Sequence, residues 1–294
     1  MKLGIAGLLP HDITELDATA IRRVAAIGFA GVAFSPSNPP VEISTERARE
    51  VGRICAGEGV ALIEYGQYET TFVDPDERVR ARTLATVREA CRVARAAGCP
   101  AVVAGVGSRN PASQWFPHAE NYAPESRDLL VSTVTDAVRI AEDQGVILAL
   151  ECHVATSLRD ATTARALLDA VASPSLKIHL DPVNWMTFET IYDSGPAIAA
   201  MFATLGPNRI SGVHSKGVSV ENRFITHLNE TWTGAGDDLL DHTAVLRGLT
   251  GLPGDPYLVI EHLTIEQMPS ARRHLLAIAE RLGVSFGGPS IGRA

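Results

Sequence analysis

Four short runs rich in apolar residues each end on a carboxylate or an imidazole: Leu148-Ala149-Leu150-Glu151, Ile178-His179-Leu180-Asp181, Ser211-Gly212-Val213-His214 and Leu258-Val259-Ile260-Glu261. The last residues of these runs are 30, 33 and 47 positions apart. A strand, its crossover helix and the next parallel strand need about 30 or more residues. The spacing therefore predicts four consecutive strands of a parallel sheet, each with a polar side chain at its C-terminal end.

The same alternation of short apolar runs and longer amphipathic stretches continues along the chain, without a linker rich in Ser, Gly or Pro. It predicts strands at 3–7, 31–34, 60–65, 101–107, 146–152, 176–181, 210–214 and 257–261. It predicts helices at 17–27, 45–58, 77–97, 126–144, 161–172, 196–205, 241–249 and 270–282. Several of these helices are followed by a glycine, which readily ends a helix.

Eight such units are the number in a closed (β/α)8 barrel, whereas an open doubly wound sheet usually has fewer strands and two edges to protect. The chain length of 294 residues allows one decorated barrel or two ordinary domains. We therefore predict an α/β fold with a single (β/α)8 TIM barrel at 1–285 and a C-terminal tail at 286–294. The segments 107–124 and 216–239 are predicted to be long irregular loops at the C-terminal face of the barrel.

Composition restricts the partners of this protein. Acidic residues number 34 against 26 basic ones, which gives a net charge of −8, and only 5% of residues are aromatic. These values disfavour a nucleic-acid partner. No stretch approaches the roughly 18 apolar residues of a membrane span, and the four cysteines form no CxxC pair. We expect neither nucleic acid nor membrane as a partner, and a cytoplasmic location.

Strand alternation predicts where the four terminal side chains point. If Glu151, Asp181 and Glu261 point into the barrel, the outward-facing residues next to them are all aliphatic. Three carboxylates and the imidazole of His214 are then expected to meet at the top of the barrel. Active sites lie on that face of the fold.

Buried carboxylates brought together need a compensating charge or shifted pKa values. A divalent metal ion is the simplest compensation. Three carboxylates and one imidazole suit Mn²⁺, Mg²⁺ or Co²⁺ better than a structural zinc ion, and Mn²⁺ is our first choice. The alternative is that each carboxylate pairs with a basic neighbour such as Lys177 or Lys216.

Several motifs resemble the sugar phosphate isomerase/epimerase family, the xylose-isomerase-like TIM barrels. The segments are Glu151-Cys152-His153, His179-Leu180-Asp181-Pro182-Val183-Asn184, Val213-His214-Ser215-Lys216, Gly234-Ala235-Gly236-Asp237-Asp238 and Val259-Ile260-Glu261-His262. The resemblance spans essentially the whole chain, in the right order. It implies that Glu151, Asp181, His214 and Glu261 hold one divalent metal ion, and that Glu151 and Glu261 also transfer protons.

The implied activity is isomerisation or epimerisation of a small ketose, keto-acid or related sugar through an enediolate. Two other functions stay open. β-Elimination from the same enediolate would make the protein a metal-dependent lyase or dehydratase acting on a keto-sugar or inosose. A third alternative is a non-catalytic sugar-binding subunit.

Two positions depart from the pattern of many relatives. Asn184 stands where they have a histidine, and its amide can bond a substrate but cannot act as an imidazole ligand. Gly217 stands where an aspartate often follows the lysine. Apurinic-site endonucleases share the barrel but use extra histidines for three zinc ions. Asn184 and the net charge of −8 therefore disfavour DNA repair.

Six further side chains are predicted to contact the substrate: His153, Asn184, Lys216, Glu64, Trp115 and Arg223. Most have alternatives. His153 could instead bond the backbone, and Glu64, expected at the end of the third strand, could pair with a loop arginine. Trp115 could close the top of the core, and Arg223 could simply be solvated. A small molecule is the expected partner, and the tail leaves a homo-oligomer open.

Overall fold

Eight parallel strands, alternating with eight α-helices, are seen in the computed structural model, which describes residues 1–289. The strands are β1 (Lys2–Ile5), β2 (Gly31–Phe34), β3 (Ala61–Gln67), β4 (Ala101–Gly105), β5 (Ile147–Glu151), β6 (Leu176–Leu180), β7 (Ile210–Ser215) and β10 (Tyr257–Ile260). The helices are α1 (Ala18–Ile27), α2 (Thr45–Gly57), α3 (Glu77–Ala97), α4 (Pro124–Gln144), α5 (Ala161–Val171), α6 (Ser194–Leu205), α7 (His242–Thr250) and α8 (Met268–Arg281).

The strands close in the order β1-β10-β7-β6-β5-β4-β3-β2 and back to β1. This order confirms the predicted single (β/α)8 TIM barrel. The predicted bounds of these strands and helices differ from the observed ones by at most two residues. Local chemistry explains this agreement at the helix ends. Asp17 caps α1 by accepting a hydrogen bond from Ala20, and Gly28 ends that helix in the left-handed conformation.

A small antiparallel hairpin was not predicted. The segment 216–239, expected to be an irregular loop, contains β8 (Gly217–Val220) and β9 (Leu228–Thr231), which pair with each other outside the barrel. Each strand has only four residues, too few to show a clear alternation of apolar and polar side chains. The hairpin directly follows β7 and stands over the C-terminal face of the barrel.

The barrel separates two apolar layers. Leu148 and Leu258 belong to the large core that includes the helices. Ala33, Ile63 and Val259 form a separate interior cluster. Val259 therefore points inward and its neighbour Leu258 outward, as strand alternation predicted.

Two register shifts alter this alternation above the interior cluster. In the β2–β3 pair Val32 faces Leu62 and Ala33 faces Glu64, which leaves Ile63 as an extra residue. Between β6 and β7 the extra residue is Ser211. A bulge of this kind re-aims the side chain that follows it. Glu64 consequently points into the barrel from the middle of β3, not from its end as expected.

The predicted C-terminal tail begins along β1. The Gly287 amide donates to the Met1 carbonyl over 3.0 Å, and Gly287 bridges to Lys2. Residues 290–294 of the tail lie outside the described residues. Within residues 1–289, each helix is too short or too polar to cross a membrane.

Candidate active site

The C-terminal ends of four barrel strands bring the predicted metal ligands together. Glu151 is the last residue of β5, Asp181 follows β6, His214 lies in β7 and Glu261 follows β10. One ligand atom from each residue lies within 4.8 Å of the corresponding atoms of the others, and all four side chains are buried. We call these four residues the quartet.

Lys216 partly compensates the charge of the quartet. Its Nζ lies 2.8 Å from Asp181 Oδ2, 3.0 Å from Glu261 Oε1 and 3.2 Å from Glu230 Oε2. This is one of the two basic neighbours considered from the sequence, whereas Lys177 forms no ion pair among residues 1–289. Three carboxylates surround one ammonium group and Glu151 belongs to the same cluster, so protons or a cation must supply further positive charge.

The two glutamates of the quartet have opposite pKa shifts. Burial raises the pKa of Glu151 to about 7, and the nearby charges of Glu261 and Asp181 act in the same direction, against that of His214. Burial would also raise the pKa of Glu261, but His214 and Lys216 outweigh it and hold that pKa well below its usual range. One carboxyl group is therefore poised to hold a proton near neutral pH, while the other is ionised.

The donor set fits a divalent cation. His214 Nδ1 lies 3.2 Å from Glu261 Oε2 and 3.7 Å from Glu151 Oε2. It is buried and has no hydrogen-bond partner among the described residues 1–289. An orphaned imidazole nitrogen beside three carboxylates is the ligand combination for an ion such as Mn²⁺, Mg²⁺ or Co²⁺.

A pocket of about 380 Å³ opens above the quartet. It is lined by Tyr68, Trp115, Glu151, His153, Asn184, Lys216, Glu230, Glu261 and His262. One wall is aromatic, because the rings of Tyr68 and Trp115 lie 6.1 Å apart. The size is that of a small-molecule site.

Four of the predicted substrate contacts, His153, Asn184, Lys216 and Trp115, line this pocket. Asn184 donates a hydrogen bond of 2.9 Å from Nδ2 to Glu151 Oε1. His153 also stabilises its own loop, because its Nδ1 accepts a hydrogen bond from the Ala155 amide over 3.1 Å. The amide at position 184 thus orients the carboxyl group of Glu151.

The other two predicted contacts, Glu64 and Arg223, are not placed against the pocket. Glu64 lies deeper in the barrel, where its Oε2 is 3.4 Å from His214 Nε2 and its Oε1 is 3.5 Å from His179 Nε2. Its partners are imidazoles, not a loop arginine, because the bulge at Ile63 turns it inward. Arg223 lies in the turn of the β8–β9 hairpin, where it is exposed and pairs with Glu221.

Three lining residues were missed from the sequence: Tyr68, Glu230 and His262. Glu230 lies on β9 and forms an ion pair with His262, which has a positive φ of 57°. His262 is the final residue of a motif quoted above, and its place in that motif could have identified it as a site residue from the sequence. No signal in the sequence pointed to Glu230, because the segment around it has no periodic pattern.

Solved structures of similar shape include sugar epimerases. D-Psicose 3-epimerase from Clostridium cellulolyticum H10, solved with D-tagatose, has a TM-score of 0.71 at 16% identity over 97% of this chain and 100% of that one. A xylose isomerase-like TIM barrel protein from Mycobacterium smegmatis, solved with magnesium, gives 0.70 at 18% identity over 94% and 96%. The IOLI protein, solved with a zinc atom, gives 0.70 at 15% identity over 96% and 99%.

At these identities the structural likeness shows the shared fold. No curated protein matches the sequence significantly. The family model described as xylose isomerase-like TIM barrel, however, matches residues 21–280. This match confirms the resemblance inferred from the motifs: the chain belongs to the family of xylose isomerase-like TIM barrels.

Proposed function

We propose that this protein is a divalent-metal-dependent isomerase or epimerase that acts on a small ketose, keto-acid or related sugar through an enediolate. The observation that carries the proposal is the buried quartet at the floor of a pocket of about 380 Å³. Membership of the family and the similarity in fold to sugar epimerases support it.

Glu151, Asp181, His214 and Glu261 would hold the cation, with Mn²⁺ as the expected ion. When bound, it would polarise a substrate carbonyl and acidify the neighbouring C–H group. The orphaned Nδ1 of His214 and the excess of carboxylates over basic groups support this assignment.

The two glutamates divide the proton transfer. Glu261, whose pKa is held low, is the carboxylate that removes the proton next to the carbonyl. Glu151, whose pKa burial raises to about 7 in the cation-free site, is the group that returns a proton. Return to the opposite face of the same carbon gives an epimer, and return to the adjacent carbon gives an isomer. Asn184 holds the Glu151 carboxyl group in place during the transfer.

The pocket walls indicate how a sugar would lie. Tyr68 and Trp115 offer an apolar surface to the carbon face of the substrate. His153, Glu230 and His262 face the same space with groups that can bond hydroxyls. A small polyhydroxylated molecule matches both surfaces.

The cysteines and the charged groups of the pocket support a cytoplasmic enzyme with a small-molecule substrate as its partner. All four cysteines, Cys55, Cys91, Cys99 and Cys152, are free and buried, which suits a reducing compartment. Among the pocket residues, basic side chains do not outnumber carboxylates, so the pocket is not the basic groove that a nucleic-acid backbone needs.

Solvent deuterium exchange tests the proposal. The Mn²⁺-loaded protein is incubated in deuterated buffer with ketoses, keto-acids and inososes, and label next to the carbonyl is measured by mass spectrometry. We expect Glu151→Gln and Glu261→Gln each to lower incorporation by at least about 100-fold. The matched control is Glu266→Gln, an exposed carboxylate in the loop that follows Glu261, which should leave exchange unchanged.

Other outcomes separate the alternatives. Full exchange in either pocket variant would exclude the two-glutamate mechanism. An enone absorbance without an epimer would identify the lyase. A ligand that binds the protein without any exchange, across a panel of metal ions, would identify a sugar-binding subunit.

A further inference from the structure

A second polar cluster lies beneath the quartet, enclosed by the barrel. It consists of Glu64, His179 and His214, which are 4%, 1% and 1% exposed. We call it the buried triad. It shares only His214 with the quartet. None of its members lines the pocket, so Glu64 and His179 lie outside the surface offered to the substrate proposed above.

The backbone is shaped to accommodate the buried triad. The bulge at Ile63 aims Glu64 inward, and the register shift at Ser211 accompanies Gly212 on the opposite wall. A Cβ atom at Gly212 would lie 2.9 Å from His179 Cε1 and 3.3 Å from Glu64 Oε1. Glycine therefore leaves the volume that the two polar side chains fill.

The buried triad lies inside the barrel, so its charged group needs partners there. The interior cluster of Ala33, Ile63 and Val259 is apolar. Apolar side chains can therefore fill the inside of this barrel. A buried carboxylate is strongly unfavourable unless it is paired. Glu64 meets two imidazoles, one at each carboxylate oxygen, with distances of 3.4 Å to His214 and 3.5 Å to His179.

His214 joins the two clusters through its two ring nitrogens. Nε2 faces Glu64, whereas Nδ1 faces Glu261 at 3.2 Å. A neutral imidazole has one N–H donor and one lone pair, and the partner of the donor determines which nitrogen is which. The ring of His179 packs edge-on against that of His214, with centroids 4.1 Å apart, and limits its rotation.

We propose that Glu64 is a positioning residue that accepts the Nε2–H of His214 and thereby directs the Nδ1 lone pair to the cation of the quartet. A carboxylate behind a ligating histidine orients the ring and strengthens it as a ligand. The inference rests on the metal site proposed above. It assigns to Glu64 a function in metal binding instead of the substrate contact expected from the sequence.

Metal titration of the metal-free protein tests this role without any need for turnover. We expect Glu64→Gln to weaken Mn²⁺ binding about 10- to 100-fold in calorimetry. The visible spectrum of the Co²⁺-loaded variant should also shift, because a neutral amide acceptor no longer strengthens His214 as a ligand. The matched control is Ile63→Val, a small change at the adjacent interior position, which should bind Mn²⁺ with wild-type affinity and keep the Co²⁺ spectrum.

A second measurement observes the tautomer of His214 in the wild-type protein and uses a variant only to assign its signals. In the Zn²⁺-loaded wild-type protein, long-range ¹H–¹⁵N correlation of labelled histidines should show His214 protonated at Nε2. Loss of its signals in His214→Asn provides the assignment. Protonation at Nδ1, or metal bound to Nε2, would overturn the inference.

The outcomes distinguish this inference from the proposed function. Equal Mn²⁺ affinity in folded Glu64→Gln and wild type would refute the role of Glu64 and leave the metal site standing. If the wild-type protein binds no divalent ion, the proposed metal site fails and the inference with it. Two ions per chain that fall to one in Glu64→Gln would show that the buried triad is itself a ligand set, which also overturns it.

Discussion

Lys216 shows how one side chain can control the stability of the site. Its Nζ lies within 3.2 Å of an oxygen of Asp181, Glu261 and Glu230. In Lys216→Met the buried carboxylates of Asp181 and Glu261 lose their ammonium partner. We expect the free energy of unfolding of the metal-free protein to fall by about 3 kcal/mol or more. Mn²⁺ should recover part of this loss, as measured by urea denaturation in EDTA and in excess Mn²⁺.

The control for this prediction is Lys177→Met. Lys177 lies on the same face of the barrel wall further from the quartet and forms no ion pair among residues 1–289, so we expect a change within about 0.5 kcal/mol. A similar loss in both variants, or no Mn²⁺-dependent recovery in Lys216→Met, would contradict the electrostatic explanation.

Individual residues differ in how far the sequence reveals their positions. The placement of Glu151, Asp181 and Glu261 could be predicted because each ends an apolar run at the spacing of a crossover unit. Glu64 could not, because its direction depends on a one-residue bulge in β3 that has no signature in the sequence. Glu230 reaches the pocket from a hairpin that closes over the barrel, and such a contact depends on tertiary packing.

At the scale of elements, the β8–β9 hairpin is held at its base by one buried carboxylate. Asp238 Oδ1 accepts from the amides of Val218 and Leu240 over 3.2 and 3.0 Å. Its Oδ2 accepts from the Gly234 amide over 2.8 Å and lies 2.6 Å from His242 Nε2. These partners belong to the hairpin, its return loop and α7, so Asp238 joins three segments.

We therefore expect Asp238→Ala to lower the free energy of unfolding by about 2–4 kcal/mol, because several buried donors lose their acceptor. Urea denaturation followed by circular dichroism measures this loss. Asp237→Ala is the matched control: its neighbouring carboxylate is exposed and accepts one hydrogen bond of 3.3 Å from Thr231. Equal stability of the two variants would show that the hairpin does not depend on this anchor.

The elements that could be predicted are those whose signals are local. Helix ends such as that at Gly28 follow from capping chemistry within a few residues. The hairpin carries no comparable signal, since its strands are short and its anchor Asp238 meets α7 only in the folded chain. The same holds for the register shift at Ser211, which is a compromise between two neighbouring strands.

At the scale of the whole molecule, the count of eight βα units sufficed to predict a closed barrel. The net charge of −8 is not spread evenly over a solvated surface. Glu64, Glu151, Asp181 and Glu261 are buried inside or at the top of the barrel. Part of the acidic excess therefore belongs to the interior, where it opposes folding unless cations or protons balance it.

Alkaline pH should destabilise the whole barrel through its buried thiols. Burial raises the pKa of Cys55 to about 11 and those of Cys91 and Cys99 to about 12, from an ordinary value of 9.0. Above pH 9 the unfolded chain thus releases thiol protons that the folded chain retains. The free energy of unfolding must then fall with rising pH, by up to about 1.4 kcal/mol per pH unit for each thiol.

The stabilising contribution of Cys91 is complete below about pH 9 and is lost between about pH 9 and 12. Urea denaturation at several pH values in this window measures the slope of the free energy of unfolding against pH. A packing effect that is the same at every pH does not change this slope. We expect the free energy of unfolding to fall less steeply with pH in Cys91→Ala than in wild type. The difference in slope should be nearly the contribution of one thiol. The tyrosines and lysines titrate equally in both proteins, so their contributions cancel when the two slopes are compared. Identical slopes would mean that the Cys91 thiol already ionises in the folded barrel.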